Sequence, residues 1–210
     1  MTEPFSAGSL YSTVDDMLIW DQALYSGKPL SPSLMQAMFT DYGHGYGFGW
    51  FIDNQFGHPH ISHTGGINGF VSKFDSYPRD KLTVVVFSNE NNAPVNRIAN
   101  GLAAIYLDVP ARTATPGGDA LLRSTIQAVR QGSPNYGQMS TQLADVTRTQ
   151  LPNLQKVIGT LGDVTSISLL AAEPDGMDRY KVVFQNGVTE WDIRVNADGK
   201  LTTAGFHPVP

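Results

Sequence analysis

The chain has 210 residues and a formal net charge of −5, which disfavours nucleic acid or an anionic membrane as a partner. It has no apolar run of about 18 residues, so no membrane-spanning helix is expected. Residues 1–20 lack the basic start of a signal peptide. Cysteine is absent, which excludes disulfides and thiolate metal sites and fits either the periplasm or the cytosol. Localisation therefore stays open.

The first half of the sequence predicts helices flanking an antiparallel sheet. Ser12 or Thr13 can cap a helix that Gly27 ends, and residues 31–39 indicate a second short helix. Strands are predicted over residues 46–52, 60–64, 70–77 and 82–88, with a turn at 78–80 between the last two. The run from Leu82 to Phe87 is apolar on both faces, which predicts a central, covered strand. A helix over residues 95–107 is expected to cover it.

The second half predicts a separate, smaller domain. Prolines and glycines in residues 111–117 indicate a linker. Residues 118–210 then show two helical stripes followed by alternating strands, with Asn186-Gly187 as a hairpin turn signal. The stripes consist of Leu122, Ile126 and Val129, and of Met139, Leu143 and Val146; the strands lie around Tyr180–Phe184 and Trp191–Val195. The predicted fold class is thus α/β plus α+β, and the α+β part resembles cystatin or NTF2-like accessory domains.

Residues 60–70, with the sequence HISHTGGINGF, carry the strongest chemical signal. A histidine and a hydroxyl residue, His63 and Thr64, stand directly before Gly65 and Gly66. Glycine has no Cβ, so a ligand can approach the backbone closely. A basic side chain, a hydroxyl and accessible backbone N–H groups together suit a carboxylate or a developing oxyanion.

In this segment the chain resembles the serine β-lactamase and penicillin-binding-protein superfamily, most closely its class C-like branch of esterases and D-amino-peptidases. That family carries a Lys-Thr-Gly or His-x-Gly triplet on an edge strand. The resemblance covers residues 1–110, the C-terminal half of such a domain. It is carried by four further segments: SAGSLYSTVDDMLIWDQAL at 6–24, YGFGWF at 46–51, FDSYPRDKLTVVVFSNENN at 74–92 and PVNRIANGLAAIYL at 94–107.

The resemblance implies site roles for several of these residues. His63 and Thr64 would bind the substrate's carboxylate or the leaving group, beside Gly65. The N–H of Gly66 would form half of an oxyanion hole, whose other half is the nucleophile's own N–H. Asn68 is a further candidate contact, although its side chain better suits stabilising the turn. Arg97 and Tyr46 complete the predicted substrate-binding set.

The family's catalytic serine motif is missing from this sequence. No Ser is followed three residues later by Lys, and no Tyr is followed two residues later by Asn. The sequence therefore predicts a fragment or truncated relative of a serine hydrolase of amides or esters. An uncovered sheet would expose apolar side chains around Trp50, Ile61 and Val71, which favours a homo-oligomer or a missing N-terminal half as partner.

The sequence leaves two alternative functions open, and it argues against a metal site. The chain can be a non-catalytic module that binds a small ester, amide, peptide or sugar ligand, or a partner chain. It can be a self-contained hydrolase, for example a glycosidase, that uses unidentified carboxylates. Asp53, Asp75 and Glu90 lie near the predicted cleft or strand ends, but the sequence singles out no pair among the carboxylates. His58, His60 and His63 have a spacing that suits zinc, but the accompanying carboxylate and cysteine are missing, so no metal and no cofactor is predicted.

Overall fold

The computed structural model describes residues 5–209, and the chain divides after Val109 into two compact units. In the described residues each unit contains one four-stranded antiparallel sheet with helices packed beside it, which confirms the predicted fold class. No helix in the described part of the chain is both long and apolar enough to cross a bilayer.

The first unit combines a meander sheet with three α-helices and one short 3-10 helix among its described residues. The four strands lie in the sheet in the order in which they occur in the chain, so each strand pairs with its neighbours in sequence. Thr13 caps the first helix by accepting a hydrogen bond from the Asp16 N–H at 3.1 Å. The elements are α1 Val14–Tyr25, α2 Pro32–Met38, β1 Phe51–Gln55, β2 His58–Ile67, β3 Phe70–Tyr77, β4 Leu82–Ser88 and α3 Val95–Tyr106.

The core of this unit lies between α3 and one face of the sheet. Ala99 and Ala103 are fully buried against Tyr77 and Val84. The alanines stand four residues apart, so they share one helix face, and their small side chains let the helix approach the strands closely. Strand alternation places His60, Lys73 and Asp75 on this same face of the sheet.

The prediction that residues 82–87 form a central strand is wrong. The strand itself, β4, is present with the predicted bounds, but it lies at the edge of the described sheet and pairs only with β3. Val84 is buried, whereas Phe87 is 42% exposed. Two-sided apolarity indicates that a strand is covered, and it does not fix the strand's position in the sheet.

The first predicted strand begins later than expected. Tyr46 forms a single antiparallel bridge with Phe51, and β1 then runs from Phe51 to Gln55. Between them the chain turns back against α2, where the Phe48 N–H donates to the Met38 carbonyl oxygen at 3.0 Å. A Cβ on Gly47 would overlap that same carbonyl oxygen, so the close approach requires glycine.

The prediction that apolar side chains around Trp50, Ile61 and Val71 are exposed is also wrong in part. Ile61 is buried, and Trp50 and Val71 are half-buried. The Trp50 ring packs against Phe74 with the ring centroids 5.3 Å apart. Local packing of α2 and its following turn therefore covers this side of the sheet.

The second unit packs two helices on its own four-stranded sheet, whose strands pair in the order in which they occur in the chain. Its core joins the predicted stripe of Leu122, Ile126 and Val129 to alternate residues of the strands, among them Tyr180 and Trp191. The predicted hairpin turn uses Gln185 and Asn186, one residue earlier than expected. The elements are α4 Gly118–Arg130, α5 Thr141–Leu161, β5 Val164–Ala172, β6 Asp178–Phe184, β7 Gly187–Val195 and β8 Leu201–Pro208.

The segment that precedes α4 is attached to this second sheet. Arg112 donates from Nη1 to Asp178 Oδ1 at 2.7 Å, and the Thr115 N–H donates to Asp178 Oδ2 at 2.8 Å. Arg112 also donates to the carbonyl oxygen of Met177 at 2.9 Å. Residues 112–115 thus belong physically to the second unit, although their composition is that of a linker.

Candidate functional site

The glycine-rich end of β2 extends past the end of its neighbour β1. The β1–β2 pairing ends at Phe51 and Ser62, whereas the β2–β3 pairing continues to Ile67 and Phe70. Among the described residues, residues 63–67 are therefore paired on one side only. All five are exposed.

The hairpin geometry sets the direction of the backbone groups along this free edge. Ile67 and Phe70 flank a two-residue loop, so they form the hydrogen-bonded pair that closes the hairpin. Hydrogen-bonded and non-hydrogen-bonded pairs alternate along antiparallel strands. The N–H groups of Gly66 and Thr64 accordingly point away from β3, toward the free edge.

His63 is oriented by two aromatic neighbours and a hydrogen bond. Its Nε2 lies 3.0 Å from the Tyr46 hydroxyl, and its Nδ1 lies 2.6 Å from the Thr64 carbonyl oxygen. Because a carbonyl only accepts, Nδ1 carries the proton; a neutral ring then accepts at Nε2 from the tyrosine O–H. The Phe51 ring stacks on His63 at a centroid distance of 5.5 Å. The structure thus brings the predicted residues Tyr46 and His63 into contact.

The two glycines that follow have different surroundings. A Cβ on Gly65 would collide with the Ser72 hydroxyl on β3, whereas a Cβ on Gly66 would meet nothing within 4 Å. Gly65 is thus required by packing across the hairpin. Open space beside Gly66 leaves its N–H accessible to a ligand.

The predicted role of Asn68 in the turn is filled by a different asparagine. Gly69, with φ +92°, donates its N–H to Asn91 Oδ1 at 2.6 Å. Asn68 is exposed, and its side chain has no hydrogen bond within the described chain. Asn91 therefore anchors the hairpin tip to the segment after β4.

Arg97 is not brought into contact with His63. It lies exposed in the first turn of α3, the helix that covers the sheet face carrying His60. His63 follows Ser62 by one residue and so faces the opposite side of the sheet. Within residues 5–209 Arg97 forms no hydrogen bond or ion pair.

Sequence reasoning missed a buried polar cluster on the opposite face, centred on His60. Its Nδ1 lies 2.7 Å from Asp53 Oδ1, and its Nε2 lies 2.9 Å from Asp75 Oδ1. Lys73 Nζ lies 2.8 Å from the same Asp75 oxygen. Asp75 is completely buried and His60 is 3% exposed. Asp53 and Asp75 were named as candidate carboxylates, but only strand register shows that one imidazole joins them.

Tyr77 extends this cluster beneath α3. Its ring stacks on His60 at a centroid distance of 4.9 Å, and its hydroxyl donates to the side-chain oxygen of Gln55. Burial is the main reason that the pKa of Tyr77 is raised, and the negative charges of Asp75 and Asp53 add to the effect. Tyr77 therefore remains a protonated hydrogen-bond donor.

The three histidines of the HPHISH segment have separate partners. His58 Nδ1 lies 2.9 Å from Asp80 Oδ2, while His60 and His63 make the contacts given above. No group of three or more His, Cys, Asp or Glu side chains in the described residues is arranged to hold a metal ion.

Comparison with known proteins places the first unit in a recognised group. The family model described as Beta-lactamase matches residues 2–108. No curated protein matches the sequence. Among solved structures, the octameric penicillin-binding protein homologue from Pyrococcus abyssi is similar, with 14% sequence identity and a TM-score of 0.44. The alignment covers 95% of this chain and 43% of that one, so the chain spans less than half of the relative's length.

Proposed function

Because the chain belongs to the β-lactamase family, we propose that its first unit provides the substrate-binding side of a serine acyl-transfer site for amides or esters. The observation that carries the proposal is the free edge of residues 63–67, with the Gly66 N–H directed outward and His63 hydrogen-bonded to Tyr46. An extended acyl ligand can pair with such an edge through its own backbone groups.

Each group has a definite task in this proposal. The Gly66 N–H donates to the carbonyl oxygen of the ligand, where negative charge develops during acyl transfer. The Thr64 hydroxyl lies beside it and binds a carboxylate of the ligand, while the His63 ring, held by Tyr46 and by the Thr64 carbonyl oxygen, forms the adjoining wall of the site. The exposed rings of Phe51 and Phe70, 45% and 55% exposed, supply apolar contact at the same end of the hairpin.

The nucleophile is assigned to residues outside this sequence, since the Ser-x-x-Lys and Tyr-x-Asn motifs are absent from it. The chain by itself is then a binding module that acts in hydrolysis only when another polypeptide completes the site. A second copy or a separate N-terminal half would serve. Apolar side chains on the outer face of α3 support such an association, with Ile98 42% and Leu102 50% exposed.

Two measurements test the catalytic part of the proposal. A fluorophosphonate probe and a fluorescent penicillin should leave the purified chain unlabelled. N-acetyl-D-alanyl-D-alanine, which carries both an amide and a carboxylate, should bind and shift the amide NMR signals of residues 63–67. His63→Ala should abolish these shifts, whereas His207→Ala in the second unit should not change them. Stoichiometric labelling of a serine, or equal binding by His63→Ala, would contradict the proposal.

The oligomeric part is tested independently by sedimentation equilibrium at micromolar concentration. The expected result is a dimer or larger species, which Ile98→Lys with Leu102→Lys should convert to the monomer. A stable wild-type monomer near the sequence mass of 22.8 kDa would reject self-association.

The structure favours this proposal over a carboxylate-based hydrolase. Of the carboxylates near the predicted cleft, Asp53 and Asp75 are brought together, and they are joined through His60. Asp75 is completely buried, so it is inaccessible to a sugar ring. No observation supports a glycosidase pair elsewhere in the described chain.

A further inference from the structure

A second concave site lies in the first unit, apart from the free edge of β2. It is a groove of about 620 Å³ between α1, the β3–β4 hairpin and the end of α3. Its walls include the apolar side chains of Leu18, Leu82, Tyr25 and Tyr106. Volumes of this size are typical of small-molecule sites.

Asp21 gives this groove its chemical character. The residue is 8% exposed and lines the groove from α1. Its Oδ1 accepts a hydrogen bond from the Ser76 hydroxyl at 3.1 Å, and its Oδ2 accepts one from the Thr83 hydroxyl at 2.7 Å. A carboxylate oxygen has room for about two donors, so each oxygen keeps one acceptor position.

Tyr25 extends the same hydrogen-bond chain. Its hydroxyl lies 3.3 Å from Ser76 Oγ. Since the Ser76 proton is donated to Asp21, the tyrosine is the donor in this contact. Burial raises the pKa of Tyr25, and the charge of Asp21 adds to that rise. The Asp21 carboxylate therefore accepts two hydrogen bonds from hydroxyl groups, those of Ser76 and Thr83, and neither donor carries a positive charge.

No cation neutralises Asp21 within residues 5–209. None of their Lys, Arg or His nitrogens lies within 4.0 Å of its oxygens, the limit for an ion pair. Lys81 also lines the groove, but it is exposed on the hairpin turn and forms no ion pair with the part of the chain that the structure describes. A buried carboxylate without a cation is unfavourable, because hydroxyl donors only partly replace its lost hydration. A cationic ligand group would remove this deficit.

We propose that this groove is a binding site for small primary amines with an aromatic or aliphatic body. The ammonium group donates to the free acceptor positions of Asp21, and the body lies against Tyr25 and Tyr106. These rings are 46% and 62% exposed, so a bound apolar body has surface to cover. A simple amine and an α-amino acid share this chemistry; the carboxylate of the amino acid would in addition meet Lys81.

Calorimetric titration of the full chain with phenethylamine tests the proposal. We expect saturable binding with a dissociation constant of about 1 mM or tighter. 3-Phenylpropionate, which has the same body and the opposite charge, should not bind. Asp21→Asn should weaken binding at least about tenfold. The matched control is Asp15→Asn, which removes an exposed charge from the same helix and should leave the affinity unchanged.

A second variant keeps the test valid if Asp21→Asn disturbs the attachment of α1. Tyr106→Ala retains the carboxylate and should weaken phenethylamine binding severalfold without changing the melting temperature. Phenylalanine distinguishes an amino-acid site from a simple-amine site. If phenylalanine binds more tightly than phenethylamine and Lys81→Met weakens its binding, the groove is an amino-acid site. If phenylalanine binds more weakly than phenethylamine, the groove is a simple-amine site. Equal binding of phenethylamine and 3-phenylpropionate, no saturation by about 10 mM, or undiminished binding by folded Asp21→Asn would overturn the proposal.

Discussion

His60 and Asp75 lie 2.9 Å apart, Nε2 to Oδ1, on neighbouring strands beneath α3. The other ring nitrogen of His60 faces Asp53 at 2.7 Å. A neutral imidazole has one N–H, so two flanking carboxylates are both satisfied only when the ring donates from both nitrogens or one carboxyl keeps its proton. Lys73 is paired with Asp75 as well, so this face of the sheet contains a shared ionic network beside the apolar packing of Tyr77 and Val84 against α3.

Removing the imidazole from this network is expected to destabilise the first unit. His60→Phe retains a ring that can stack on Tyr77 but deletes both hydrogen bonds, leaving Asp75 buried with Lys73 alone. We expect a loss of about 2–4 kcal/mol in the free energy of unfolding. His58→Phe on the same strand removes a more exposed His–Asp pair and should cost under about 1 kcal/mol. Urea unfolding of the two variants compares them; equal losses would contradict the prediction.

Lys73 and Asp75 should show strong energetic coupling in a double-mutant cycle. Lys73→Met leaves a buried carboxylate with one fewer donor, and Asp75→Leu leaves a lysine that is 9% exposed without its partner. The double variant has neither the buried unpaired carboxylate nor the buried unpaired lysine. Its loss of unfolding free energy should therefore be smaller than the sum of the two single losses by about 1–3 kcal/mol. Additive losses in urea unfolding would show that the pair acts independently.

Gly65 and Gly66 should respond differently to alanine. Gly65→Ala forces the Ser72 hydroxyl to move and should cost about 1 kcal/mol in unfolding free energy, whereas Gly66→Ala meets no neighbour. Adding Ser72→Ala should restore the stability of Gly65→Ala, since the colliding atom is then gone. Thermal melting of the three variants measures this. Failure of the rescue would place the strain in the backbone.

Acid should weaken the second unit through Asp178. Burial on its own raises the pKa of this carboxyl, but the hydrogen bonds from Thr115 and the charge of Arg112 outweigh it, and the pKa lies below its ordinary value of 3.8. A carboxyl whose pKa is lowered in the folded state stabilises the fold at pH values above its ordinary pKa. That contribution to stability disappears as the pH falls through the pKa that the carboxyl has in the folded state.

Asp178→Asn tests this dependence. At neutral pH the variant should lose about 3 kcal/mol, because Arg112 is left without its carboxylate. The difference in unfolding free energy between the variant and the wild type should stay constant as the pH falls to 3.8, the ordinary pKa of the carboxyl, and should narrow below that pH. Scanning calorimetry at several pH values measures both effects. A difference that widens as the pH falls would contradict the assigned sign.

The sequence by itself determined the elements whose signals are local. Thr13 caps the first helix, as one of its two predicted caps, the second helix lies within the predicted residues 31–39, and β3 and β4 have the predicted bounds. The motif around His63 identified the family that the match over residues 2–108 shows. Caps, turn residues and hydrophobic periodicity act over a few residues, so they can be recognised without knowing the fold.

Only the tertiary structure decided which distant residues meet. Strand register joins His60 to Asp75 and leaves residues 63–67 unpaired on one side, and neither result follows from local pattern. The same register puts β4 at an edge, although its composition predicted a centre. Asp21 stands in an ordinary helical segment, and its hydrogen bonds to Ser76 and Thr83 arise from packing of α1 on strands more than 50 residues away. Contacts of long sequence separation depend on how complete surfaces fit together, which single-residue preferences do not encode.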